Sequence, residues 1–321
     1  MNADIGENYM RSRIAKSAVS VFLAFLLCFS AALPGFAHHT MKLPFVSSSA
    51  NQTYLNITGR KSLKEIKKIL DEHPGLKKVD MFDTPVNRES IGELETRYPG
   101  IEFGWTINFG EHTVRTDATA FSTLHRSKSH THGTEDISLL RYCKKLKALD
   151  FGHNSCDDLS FLKDLKDLRV LIIACNRITD ISPVAGLKKL EYFEMFSNHV
   201  QDLTPLKGLT HLMDLNIGFN NINDYSPLYE MPWLKRLWLY NSNNYNKNDP
   251  VPQDVINKLK SSLPNTEIDY VNNPTAGTWR LHPHYKVIHA MFRSPDGYVP
   301  FDDSFRTATR RNRIGHASSR S

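Results

Sequence analysis

Three sets of side chains in this sequence stand at spacings that permit chemistry. The first is a row of carboxylates, Asp158, Asp180, Asp202 and Asp224, set 22 residues apart. Oxygen ligands in a row suit a hard cation such as calcium. Each aspartate also lies two residues before a Ser or Thr, where its carboxylate suits the N–H groups of a turn. The turn role is the expected one. The second set is histidine. His125, His130 and His132 lie close to Glu135 and Asp136, and His282 and His284 form a further His-x-His. Zinc takes such ligands together with a carboxylate. No His-Glu-x-x-His, no paired Cys and no Gly-x-Ser-x-Gly accompanies them. The histidines are therefore expected at the surface, and no catalytic residue, metal or cofactor is assigned. A hydrolase stands as the alternative, with Asp117, His132 and His284 as its residues. The third set mixes rings and charges: Tyr192, Glu194, Phe196, Asp214, Asn216, Arg236, Trp238 and Tyr240. Tyr, Trp and Arg are the residues that interfaces favour. This set is expected to be exposed and to bind a protein or glycan partner.

What positions these side chains is a repeat. Asn154, Asn176, Asn198 and Asn220 are 22 residues apart, and Leu146, Leu168, Leu190, Leu212 and Leu234 keep the same step. So do Leu149, Leu171, Phe193, Leu215 and Leu237, and Phe151, Ile173, Met195, Ile217 and Leu239. The unit reads L-x-x-L-x-L-x-x-N-x-I-x-D-L-x-P-L-x-x-L-x-x. Its L-x-L piece has period two and predicts a short strand with one buried face. The Asn amide offers two donors and an acceptor for backbone groups at the turn. Ser182-Pro183, Thr204-Pro205 and Ser226-Pro227 predict short helical starts, with the hydroxyl as cap and Pro at the first position. Leu206, Leu209 and Leu212 then suit a 3₁₀ turn. One coil cannot bury its leucines alone, so coils must stack. The third chemical set falls on strand residues that alternate with the buried ones, hence on the concave face.

From Leu146 to Tyr240 these motifs resemble the leucine-rich repeat family, in the 22-residue internalin type of exported bacterial proteins. The resemblance implies an α/β solenoid with a curved parallel sheet, a short 3₁₀ or helical convex side and a binding rather than catalytic role. Two units depart from the pattern, with Ser160-Phe161 in place of Ser-Pro and Ser242 in place of Asn.

The flanks continue the theme. Ser62–Glu72 and Val86–Tyr98 predict helices, and Leu76-x-x-Val79-x-Met81 and Ile101–Ile107 predict strands stacked on the same sheet, starting near Tyr54. Between Asn108 and Glu135 polar residues replace leucine, although Leu124 still lies 22 before Leu146. A lapse of this kind marks a candidate functional segment. Arg115–Phe121 is similar to a segment beside such repeats in exported bacterial proteins. After Asn244, Val251–Leu263 predicts a helix and Glu267–Val271 a strand. A compact cap with Trp279, His282, His284, Tyr285, His289, Met291 and Phe292 follows.

The expected organisation is a signal peptide (1–37), an N-terminal cap with irregular α/β coils (38–145), regular repeats (146–245), a C-terminal cap (246–304) and a basic tail (305–321). Ser17–Ala37 carries no charge, follows Arg11, Arg13 and Lys16, and ends in Gly35-Phe36-Ala37, which predicts export with cleavage after Ala37. An uncleaved signal anchor is the alternative; after cleavage no transmembrane span is expected. No cell-wall sorting motif ends the sequence. Cys143, Cys156 and Cys175 are an odd set and are expected as small buried residues, with a Cys156–Cys175 bridge as the alternative. The formal charge of +6 over 321 residues gathers in the tail, which is expected to be disordered. The implied partner is a protein or glycan at the envelope or a host surface, with no nucleic acid, and the chain is expected to be monomeric. A structural envelope spacer is a further alternative.

Overall fold

The computed structural model of the protein describes residues 52–59, 61–109, 111–123, 132–243, 250–271, 278–294 and 297–300. The predicted signal peptide, His125, His130 and the basic tail lie outside the described residues.

The period-two pieces form strands of three residues each: β1 (Tyr54–Asn56), β2 (Lys78–Asp80) and β3 (Glu102–Gly104). They make a parallel sheet in that order. Two helices connect them. α1 (Leu63–Asp71) starts at a capping box between Ser62 and Glu65 and buries Ile66 and Leu70. α2 (Arg88–Arg97) is capped by Asn87 and buries Ile91 and Leu94.

The expectation of one continuous sheet does not hold. The segment 101–107 is divided between β3 and β4 (Thr106–Phe109), and β4 pairs antiparallel with β5 (His112–Arg115). Trp105 stands at the break. It is buried, its N–H donates to Thr116 Oγ1 at 3.0 Å, and its carbonyl accepts from Thr116 N at 2.9 Å. These bonds turn the chain out of the first sheet and return it as a hairpin.

Parallel stacking resumes with β6 (Ala120–Ser122), β7 (Ala148–Asp150), β8 (Val170–Ile172), β9 (Tyr192–Glu194), β10 (Asp214–Asn216), β11 (Arg236–Trp238) and β12 (Glu267–Asp269). They form a seven-stranded sheet in reverse sequence order. Leu149, Leu171, Phe193, Leu215, Leu237 and Ile268 stand in register, so identical positions of each repeat meet. Behind the sheet run the short turns 139–142, 160–164, 182–186 and 204–206, all 3₁₀, followed by α3 (Thr134–Ser138) at the front of the row and α4 (Ser226–Tyr229) at its end. α5 (Gln253–Ser262) buries Ile256 and Leu259 and precedes β12. Strand leucines and turn leucines enclose one continuous apolar interior.

The asparagines work through the backbone of the adjacent coils. Asn198 Oδ1 accepts from Ile178 N at 3.0 Å, and its Nδ2 donates to Ile173 O at 2.9 Å and Met195 O at 3.1 Å. Asn176 and Asn220 repeat the arrangement one coil away on either side. Each side chain therefore stitches its own turn to the preceding coil, which satisfies groups that water cannot reach. In the unit without Asn, Ser242 is buried and its hydroxyl pairs with Tyr225 Oη at 2.7 Å.

The turns bear out the role expected of the aspartates and correct the one expected of the hydroxyls, and the backbone adds a feature that the repeat pattern does not announce. The turns are capped by Asp, not by the hydroxyl. Asp180 Oδ1 accepts Ser182 N at 2.7 Å, Ser182 Oγ donates to Asp180 Oδ2 at 2.9 Å, and Asp158, Asp202 and Asp224 accept in the same way. The hydroxyl is spent on the carboxylate, so the Asp ladder is a row of turn caps. The residue before each Asn position is left-handed: His153, Cys175, Ser197, Phe219 and Asn241 have φ between 48° and 58°. None is Gly. In the first four, the N–H released by this conformation bonds to the next coil, as in His153 N to Ala174 O at 2.8 Å. That bond and the stacking offset a backbone cost of about 1–2 kcal/mol per residue.

Candidate functional site

The alternating strand residues do lie on the concave side of the sheet. The exposure expected of them is not found. Tyr192 is 0%, Phe196 1% and Trp238 1% exposed, and Glu194, Asp214, Asn216 and Arg236 are buried with them. Only Tyr240 keeps an intermediate exposure. The reason lies at the far end of the chain. After β12 the described residues of the expected cap return to the sheet. Helices α6 (Thr278–Leu281) and α7 (Pro283–Met291) cover the concave face, and Trp279, Ile288 and Met291 join Ala148, Val170, Ile172, Tyr192, Phe196 and Trp238 in a second apolar cluster. Further on, Tyr298 N donates to Thr119 Oγ1 at 3.1 Å, beside β6.

Trp279 is the anchor. Its ring lies 5.4 Å from Tyr192 and 5.9 Å from Trp238, in the tilted and edge-on arrangements that ring quadrupoles favour. Its Nε1 donates to Glu194 Oε2 at 3.0 Å, and Tyr192 Oη donates to the same oxygen at 2.7 Å. The Arg236 guanidinium stacks 4.2 Å from the Trp279 ring centre. Beside it, Asp214 takes Arg236 Nε at 3.2 Å and His284 Nδ1 at 2.6 Å. Burial opposes ionisation of Asp214, but the bond to His284 and the charge of Arg236 outweigh it and hold the carboxyl below its usual range. His284, expected at the surface, is fully buried. Asp214, His282 and His284 bring three ligand atoms within 4.8 Å of one another. The guanidinium already bound to Asp214 would face any divalent cation there, so the donor set does not fit one.

A cavity of roughly 160 Å³ remains between β7–β9 and α7. Asp150 and Glu194 line it from the sheet, Arg280, Tyr285 and His289 from the C-terminal segment. Burial pushes the Asp150 carboxyl up to about 7, although Gly152 N and Ser122 Oγ each donate to it at 3.0 Å. Arg280 Nη1 donates to Tyr285 Oη, while its buried Nε has no partner. Tyr285 stacks on His289 at 5.7 Å. The sequence pattern assigns no role to Arg280 or Asp150, and it places Tyr285 only within the C-terminal cap. The available signal was Ile288, Met291 and Phe292 on a segment with no repeat to join.

The residues considered for hydrolysis are not brought together. Asp117 pairs with Arg115 at 2.8 Å, His132 is buried against His112 with ring centres 5.0 Å apart, and His284 belongs to Asp214. His132 thus also departs from the surface position expected of it. Cys143, Cys156 and Cys175 are free, so the alternative bridge is absent among them. Burial raises the Cys143 thiol to about 12. Among the described residues no helix is long and apolar enough to cross a membrane.

Family models for leucine-rich repeats match residues 166–208, as two copies, and residues 208–224. No curated protein matches the chain. Among solved structures it is similar to an internalin from Listeria monocytogenes, at 26% identity over 64% of this chain and 53% of that one, with a TM-score of 0.38. It is similar to internalin C2 of the same species, at 21% identity over 59% and 77%, with a TM-score of 0.35. A leucine-rich-repeat protein of Leptospira interrogans shares 18% identity over 63% and 57%, with a TM-score of 0.40. The chain thus spans about half the length, 53%, of the first of these internalins. The matched repeats at residues 166–224 and the coil-by-coil parallel sheet show a leucine-rich-repeat fold.

Proposed function

We propose that this is an exported recognition protein that binds a protein partner through its concave sheet, and that residues 278–300 are a tethered occupant which the partner replaces. The seat of Trp279 is the observation that supports this reading most. Two rings, a carboxylate for the indole N–H and a stacked guanidinium form a receptor for an aromatic side chain on a polypeptide segment. Tyr, Trp and Arg at the centre of a dry patch are the composition of binding hot spots. The occupant is itself polypeptide, which favours a protein over a glycan. The uncharged run Ser17–Ala37 behind three basic residues supports export.

A tethered segment competes at a local concentration of order millimolar. Binding in trans is therefore weak until the tethered segment is weakened. The test uses a labelled peptide of residues 278–294 and the chain from His38 onward. Trp279→Ala is expected to raise peptide affinity at least tenfold over the parent chain, and adding Arg236→Ala is expected to remove the gain. If the folded Trp279→Ala chain takes no peptide, the concave face is a closed core and the reading fails.

A further inference from the structure

The seat of Trp279 accounts for the aromatic part of the concave face but not for the cavity beside it. Two carboxylates converge there, each 3% exposed at the residue level. Pairs of buried acids repel and are costly to desolvate unless a cation meets them. Asp150 instead meets Gly152 N and Ser122 Oγ, both neutral. Glu194 is held by Tyr192 Oη and Trp279 Nε1, also neutral donors and both on one oxygen, Oε2. A carboxylate has about four lone-pair sites, so both acids keep acceptor capacity. Across the cavity Arg280 turns one arm to Tyr285 and leaves its buried Nε unpartnered. The rest of the wall pairs two imidazoles, His153 and His289, with an apolar side made by Ile172, Ala174 and Phe292.

We propose that this cavity binds a small molecule of the α-amino acid class, with its ammonium group between Asp150 and Glu194 and its carboxylate on Arg280. Arg280 is one positive charge facing the two acids, whose direct partners are neutral; the ammonium adds the second charge in contact with them. The carboxylate takes the guanidinium N–H that the protein leaves unused, the pairing for which a guanidinium is best suited. A short aliphatic side chain fits the apolar wall. The space of roughly 160 Å³ is of the order of the cavity, about 150 Å³, that admits a benzene-sized molecule. The raised Asp150 carboxyl is consistent with an acid waiting for a cation. The site exists only while residues 278–294 lie on the sheet, so it belongs to the closed arrangement and stands whether or not a partner ever displaces that segment.

The experiment is calorimetric titration, with thermal melting in parallel, of the chain from His38 onward, which retains every described residue. The probes are glycine, L-serine and L-valine at millimolar concentration, with ethylamine and acetate as half-molecules and D-glucose as the neutral polyol. At least one amino acid is expected to bind and to raise the melting temperature with concentration, as any ligand of the folded state does. Each half-molecule is expected to bind at least tenfold more weakly. Asp150→Asn and Arg280→Gln are each expected to reduce amino acid affinity at least tenfold while still melting cooperatively. No response to any amino acid, equal binding by the Asp150→Asn chain, or stronger binding of glucose would each overturn the proposal.

Discussion

Asn198→Ala tests the stitching of the coils at its centre. Asn198 is 0% exposed, so no water replaces what the substitution removes. The Ile178 N–H loses the only acceptor described for it, Asn198 Oδ1 at 3.0 Å. An orphaned buried donor costs about 1–3 kcal/mol. The carbonyls of Ile173 and Met195 fare better. Each keeps a bond from a neighbouring asparagine, Asn176 at 3.1 Å and Asn220 at 3.1 Å. Losing the second bond at each adds roughly 0.5–1.5 kcal/mol. Together with the small void, the loss comes to about 3–5 kcal/mol. Asn154 provides the control. It makes a similar set of bonds but is only part-buried, so water can take over and Asn154→Ala is expected to cost about 1–2 kcal/mol. Urea unfolding followed by circular dichroism measures both. A weakened link between neighbouring coils is also expected to broaden the transition of Asn198→Ala, since a solenoid is held by nearest-neighbour contacts. Equal losses at the two positions, or a loss below about 1 kcal/mol at Asn198, would refute the claim that the ladder is a sealed set of backbone bridges.

Other substitutions probe the remaining devices. The Asp150 carboxyl rises from 3.8 to about 7 on folding, so the unfolded chain releases this proton first and stability falls as pH rises between those values. Asp150→Asn removes that slope; it is expected to be near neutral below pH 4 and to gain on the order of 4 kcal/mol above pH 7, read from urea melts across pH, and an unchanged slope would refute the burial argument. Asp180→Ala removes two bonds from the start of a 3₁₀ turn and is expected to cost about 1 kcal/mol. A melting temperature that falls on adding chelator would instead make the aspartates cation ligands. His153→Gly places glycine at φ 57° with the side chain exposed; it is expected to stabilise by up to about 1 kcal/mol, and a loss would show that the imidazole matters more than the backbone. Trp279→Ala is expected to speed amide exchange across residues 278–294 while β7–β11 stay protected; uniform loss of protection would make the segment part of one cooperative core.

The repeat, its strands, the asparagine positions and the turns were legible because each depends on contacts with an identical neighbour. A period of 22 residues puts the same side chain at the same place in every coil. Local chemistry then decides the rest, as when an Asp two residues ahead of a Ser captures the turn N–H. The hydroxyl cap was misassigned because Ser and Asp compete for the same donor, and only the built turn decides which oxygen is closer. The break at Trp105 was hidden because the residues of β3 and β4 alternate like one strand, and the turning bonds come from Thr116.

The concave face marks the boundary between the two kinds of knowledge. Periodicity alone determined which side chains point to that side, and Tyr192, Glu194, Phe196, Asp214, Asn216, Arg236 and Trp238 are all there. Whether that side meets water is not a periodic property. It depends on a non-repeating segment some 40 residues after β11, whose Trp279 reaches Glu194, 85 positions away, and whose His284 reaches Asp214, 70 positions away. No local pattern encodes contacts of that separation, because they arise from matching two finished surfaces. The cavity with Asp150, Glu194 and Arg280 exists only where those surfaces fail to fill the space between them, and so only the folded chain could disclose it.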